Sequence, residues 1–145
     1  MSKDRGTIAE TAAATALLHE GFGISFAHGD NLGWDICTDW KGKVNRIQVK
    51  TASKRTGNRA QSYSVSFRHG SAKNVLYTKT DCDFILVFLS FGEDYASFRG
   101  NGIYIIPVGA ITVSTGLFWP PGLGSKGPDK ICAWEKYRDK FNLLK

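Results

Sequence analysis

Between residues 10 and 50 the chain carries five residues whose types and order suit cleavage of a phosphodiester assisted by a hard metal ion: Glu10, Asp35, Gln48, Val49 and Lys50. Such chemistry needs oxygen ligands for Mg2+, a group that polarises the attacking water, and positive charge near the developing oxyanion. Asp35 supplies a carboxylate to grip the ion. The Gln48 side-chain amide and the Val49 backbone carbonyl can add oxygens, and Glu10 can complete the shell or hold a water. Lys50 can stabilise transition-state charge or orient that water.

The elements expected to position these residues follow from periodicity. Residues 4–20 read as a helix, with Ile8, Ala9, Ala12, Ala13, Ala16 and Leu17 as an apolar stripe and Glu10 at its edge. Asp4 or Thr7 can cap its start, and Gly21 stands where a helix stops. A short extended piece, Gly23–His28, and a polar turn lead into a strand at Trp34–Asp39. A tight turn at Trp40–Lys43 and a return strand at Val44–Ala52 complete a hairpin. Period-2 alternation along the return strand puts Val44, Arg46, Gln48 and Lys50 on one face, with Ile47 and Val49 on the other.

Residues 53–61 read as a polar, basic loop, and Tyr63–Phe67 as a third strand. Asp83–Ser90 is a nearly continuous apolar run, expected to be a strand buried on both faces, and Gly102–Pro107 reads as a further strand. Gly116–Pro128 reads as irregular. A closing helix is expected from about Pro128 to Leu144, with Ile131, Trp134, Tyr137, Phe141 and Leu144 as its buried stripe. The implied order is α-β-β-β-β-β-α: an α/β fold with a central mixed β-sheet flanked by helices, residues 1–145 forming one domain. The aromatic residues of the closing helix and the Trp119–Pro121 loop can pack in the core or supply a subunit interface.

The chain has 145 residues, 42% hydrophobic and 12% aromatic, which is enough apolar material for one core and argues against disorder. Lysine and arginine outnumber aspartate and glutamate by 19 to 13, a net charge of +6 that suits a polyanionic partner. From Lys41 to Lys73 there are basic residues at 41, 43, 46, 50, 54, 55, 59, 68 and 73 and no acidic one. Arg46, Lys54, Arg55, Arg59, Arg68 and Lys73 are therefore the candidate contacts to a phosphate backbone, which the resemblance below implies is DNA. Three widely spaced cysteines, Cys37, Cys82 and Cys132, suggest neither a disulfide framework nor a zinc site, so a reducing, cytoplasmic setting is expected. The longest apolar runs are too short to span a bilayer, and no targeting segment is expected. His19, His28 and His69 read as exposed and receive no role.

The order of the motifs resembles the PD-(D/E)XK nuclease superfamily. The resemblance rests on Gly6-Thr-Ile-Ala-Glu10 in the first helix, Gly33-Trp-Asp35 in the first hairpin strand and Gln48-Val-Lys50-Thr-Ala52 in the second. The apolar strand Asp83-Phe-Ile-Leu-Val-Phe88 is similar to the buried core strand of such proteins. No proline precedes Asp35, and Gln48 stands where the second motif usually has an acid, a variant that resembles group I intron-encoded homing endonucleases. The resemblance implies a metal-dependent endonuclease acting on double-stranded DNA, with Mg2+ (Mn2+ able to substitute) held by Glu10, Asp35, Gln48 and Val49. It also implies a homo-oligomer, dimer or tetramer, that reads a long site. Alternatives on the same fold are a Holliday-junction resolvase, a restriction-type nuclease, or a DNA-binding module in which Gln48 marks lost catalysis.

Overall fold

The computed structural model describes residues 2–29, 32–55, 62–69, 75–90, 103–118 and 133–145. The first element, α1 (Ser2–His19), begins earlier than Asp4 or Thr7 would have capped it. Its buried face is Ala9, Ala13, Ala14 and Leu17, while Ile8, expected in the stripe, is exposed. Alanine at most contact positions lets the helix axis lie close to the sheet. Gly21 ends it in the left-handed conformation (φ 93°), with Gly21 N–H donating to Leu18 O and Phe22 N–H to Leu17 O.

The chain then builds a seven-stranded sheet from β1 (Gly23–Phe26), β2 (Ile36–Trp40), β3 (Lys43–Lys54), β4 (Tyr63–Ser66), β5 (Phe84–Ser90), β6 (Ile103–Pro107) and β7 (Thr115–Phe118). The sheet is mixed, as expected: β3 pairs parallel with β5, and the other pairings are antiparallel. The β2–β3 turn has positive φ at Lys41 and Gly42 (51° and 89°), the twist-compatible two-residue hairpin geometry. Asp39 Oδ1 fastens it by accepting from Gly42 N–H at 2.8 Å.

One face of the sheet packs against α1 through Ile36, Ile47, Val49, Leu86, Phe88, Ile103 and Ile105. The opposite face buries Ala52, Tyr63, Val65, Phe67, Tyr77, Ile85, Val87, Leu89, Tyr104 and Ile106. Strand β5 is thus buried on both sides, and its unbroken apolar run is what that position requires. Among the described residues no helix is long and apolar enough to cross a membrane.

The structure corrects the expected architecture in three places. Gly23–Phe26, expected only as part of a short extended piece outside the strand order, is strand β1, paired with β2. Gly116–Phe118, the start of the segment read as irregular, belongs to strand β7, paired with β4 from Tyr63↔Phe118 to Ser66↔Thr115. Gly116 is there for packing: a Cβ would meet the Phe67 ring at 2.5 Å. The closing helix is also absent over 133–145, the described part of that span. Short 3-10 turns at Glu135–Tyr137 and Phe141–Leu144 replace it. Between them Asp139 is tied to β6: its N–H donates to Ile103 O at 2.7 Å, and its Oδ1 accepts from Ile103 N–H at 2.9 Å. Asp139 adopts a left-handed φ of 54°, which no helix accommodates. Ile131 lies outside the described residues; the other expected apolar residues reach the core, but on opposite faces: Trp134 and Tyr137 join one cluster, Phe141 and Leu144 the other.

Candidate metal-dependent active site

The centre of the candidate site is a break in strand pairing along one edge of β3. Ile47 pairs with Ile36 of β2 and Phe84 of β5, so β2 and β5 lie on opposite edges. Ser53 pairs with Ser64 of β4 and Ser90 of β5, so β4 lies on the same edge as β2. Between them, Gln48–Ala52 faces no described strand on that edge. Strand β2 turns away just before it, and the Asp35 carbonyl accepts from Ala27 N–H on the β1 side.

The Asp35 side chain fills the place that a carbonyl of a continuing strand would take. Its Oδ2 accepts from Val49 N–H at 2.8 Å and from Gln48 Nε2 at 2.7 Å. Because Asp35 sits at an edge, groups on both faces of the sheet can approach it. Glu10 comes from the helix side, and Gln48 and Lys50 project from the other face of β3.

The electrostatics report this convergence. Burial raises the pKa of Glu10, and the negative charge of Asp35 raises it further. Burial likewise raises that of Asp35, with the Val49 N–H and the Lys50 charge partly opposing it. Burial lowers the pKa of Lys50, and Asp35 partly restores it. Two carboxylates and one ammonium are thus held where charge is poorly solvated, an environment that a divalent cation would relieve.

The donor set fits a hard cation. Among the described residues no group of three or more His, Cys, Asp or Glu side chains converges, so two carboxylates need help from other oxygens. Gln48 and Val49 provide it: the Gln48 amide lies against Asp35 and 3.5 Å from the Val49 carbonyl. Turning that amide about its terminal bond exchanges Nε2 for Oε1 and brings amide, carboxylate and carbonyl oxygens to one place. Oxygen-only ligation of this kind suits Mg2+ or Mn2+.

The candidate DNA contacts separate into three groups. Lys54 is exposed at the end of β3, and Arg55 is partly exposed beside it. Arg46 and Arg68, by contrast, are engaged within the fold. The Arg46 guanidinium pairs with Asp83 (Nε to Oδ2, 3.3 Å) and donates to the Lys79 and Thr80 carbonyls at 2.6 and 3.0 Å. Arg68 is half-buried, with Nη2 3.5 Å from Ser114 Oγ. Their basic type suggested DNA, and the Asp83 carboxylate and carbonyls that hold Arg46 lie too far along the chain for local pattern to expose. Arg59 and Lys73 fall outside the described residues, as do Cys132 and the Trp119–Pro121 loop. His69, read as exposed, is half-buried against Tyr77 and lies 3.3 Å from Asp81.

A family model described as PD-(D/E)XK endonuclease matches residues 1–109. Among solved structures, that of a bacterial homing endonuclease, I-Ssp6803I, is similar with a TM-score of 0.77. The likeness covers 98% of this chain and 91% of that one at 22% sequence identity, which establishes a shared fold. Comparison with curated proteins finds no match.

Proposed function

As the chain belongs to the PD-(D/E)XK endonuclease family, we propose that it is a divalent-metal-dependent endonuclease that cuts double-stranded DNA at specific sites, as a homing endonuclease does. The observation that carries this reading is the Asp35 carboxylate in the open edge of β3, bonded to Gln48 and Val49 and electrostatically coupled to Glu10 and Lys50. The homing role draws support from the similar fold of I-Ssp6803I and from glutamine at position 48.

In this reading Asp35, Glu10, the Gln48 amide oxygen and the Val49 carbonyl hold Mg2+ or Mn2+. When bound, such an ion would supply Lewis acidity to the scissile phosphate and to the attacking water. Glu10, whose pKa is raised by burial and by Asp35, accepts a hydrogen bond from the attacking water and orients it. Lys50 places its ammonium beside the phosphoryl oxygens, where negative charge grows as the bond breaks. Lys54, at the end of β3, and Arg55, just beyond it, contact the phosphate backbone, which sets register without reading sequence. A protomer of this size offers little surface for a long site, so the cleaving species is a homo-oligomer, dimer or tetramer.

The test is cleavage of a panel of linear, four-way-junction and genomic DNA with Mg2+, with light scattering giving the mass of the active species. Asp35→Ala and Lys50→Ala are expected to lower the cleavage rate by about 100-fold or more while DNA binding persists. Full activity in Asp35→Ala overturns the assignment. Preference for four-way junctions points to a resolvase, and tight binding without metal-dependent cleavage points to a non-catalytic module.

A further inference from the structure

Lys50 is half-buried, and its flexible side chain needs something to fix it. Asp35 attracts it, but Asp35 Oδ2 already accepts two hydrogen bonds. The ammonium lies over the face of the Tyr77 ring, 5.1 Å from its centroid. A cation within about 6 Å of an aromatic face is drawn to the ring quadrupole, and more strongly where water is excluded. Tyr77 is 7% exposed, so this contact is of the desolvated kind.

The ring is braced from behind. Tyr77 N–H donates to Phe67 O at 3.3 Å, and Leu76 forms a bridge with Arg68, which ties the segment to the chain leaving β4. The His69 ring lies 4.9 Å from that of Tyr77, and His69 Nε2 is 3.3 Å from Asp81 Oδ1. The other Asp81 oxygen accepts from Thr78 N–H and Thr78 Oγ1 at 2.9 and 3.2 Å and holds the turn rigid. Asp81 also touches the segment before β2 that leads to the site. A Cβ at Gly33 would come within 2.6 Å of Asp81 Cβ, and Gly33 is two residues before Asp35. One turn therefore supports both the aromatic platform under Lys50 and the backbone that delivers Asp35.

We propose that Tyr77 is a positioning residue for Lys50: its ring face holds the ammonium beside Asp35, with the His69–Asp81 pair bracing the ring. The inference rests on the nuclease reading for its catalytic consequence, but the placement itself can be measured without activity. The ring, and not the hydroxyl, is the operative part. Tyr77→Phe is expected to cleave within about threefold of the wild type, and Tyr77→Leu roughly 10-fold more slowly with DNA Kd unchanged. Phenylalanine at 77 with successive ring fluorination keeps the shape but drains the negative face, and the cleavage rate should fall step by step.

The second readout is the NMR shift of the Lys50 ε-methylene protons, expected upfield of a solvated lysine in the wild type and normal in Tyr77→Leu. Equal losses in Tyr77→Phe and Tyr77→Leu, a flat fluorination series, or an unshifted Lys50 each overturn the proposal. If the wild type cuts no DNA, the nuclease reading has failed, and the Lys50 shift alone then decides the placement.

Discussion

Asp35 concentrates two hydrogen bonds on Oδ2, from Gln48 and Val49, so Oδ1 takes neither. Gln48 at this position both relieves the carboxylate, through Nε2, and can offer an oxygen to a cation after a simple rotation. A carboxylate at 48 would remove the donor and add like charge 2.7 Å from Asp35. Gln48→Glu should therefore be less stable without divalent metal, by about 1–3 kcal/mol. It should also gain more thermal stability on Mg2+ addition than the wild type, because binding to the folded state alone stabilises it. Thermal unfolding with and without Mg2+ measures both, and equal gains would contradict Gln48 as a ligand. Residue chemistry was legible here: the amide, the carboxylate and the lysine were identifiable by type and order. Tyr77 was not, because nothing local to it signals that its ring lies under a lysine 27 positions earlier.

At the scale of elements, β3 is the organising strand, and Arg46 ties it to the turn before β5. Asp83 is pushed up by burial, but hydrogen bonds from the Arg46 side chain and backbone outweigh that and hold its pKa below the ordinary value. A carboxylate depressed on folding stabilises the protein above its unfolded pKa of about 3.9, and that contribution disappears as pH falls through the folded value. Asp83→Asn should thus be less stable than the wild type by about 1 kcal/mol at neutral pH, since the pair is about one-third exposed. The gap should close below about pH 4. Urea unfolding as a function of pH reports it, and a gap that persists in acid would refute this role. The hairpin and the doubly buried β5 were readable from alternation and apolar run length. Strand β7 was obscured by Gly116, whose signal is the same for a loop and for a strand crossed by an aromatic ring.

Across the whole molecule, the net charge of +6 favours a polyanion, but the fold sorts its sources. Lys54 and Arg55 remain at the surface, whereas Arg46 is absorbed into the structure. Removing either of the first two should reduce the salt dependence of DNA binding by about one unit of log K per log salt. Arg46→Ala should leave that slope unchanged and instead lower stability. Binding titrations over a range of NaCl concentrations distinguish the two, and an Arg46→Ala slope change equal to that of Lys54→Ala would restore Arg46 to the interface.

By itself the sequence determined the periodicities: which residues share a face of β3, that β5 is buried twice, and that Glu10, Asp35, Gln48 and Lys50 occur in an order suited to one chemistry. These follow from the fixed repeat of strand and helix, which a local window contains. Tertiary structure decided what competes for the same bonds. The edge of β3 left open by β2 admits the Asp35 carboxylate, and the register with Asp83 captures Arg46. Backbone bonds to Ile103 replace the closing helix, and a distant turn carries Tyr77 beneath Lys50. Each depends on pairing between segments far apart in the chain, and local residue preference does not encode such pairing.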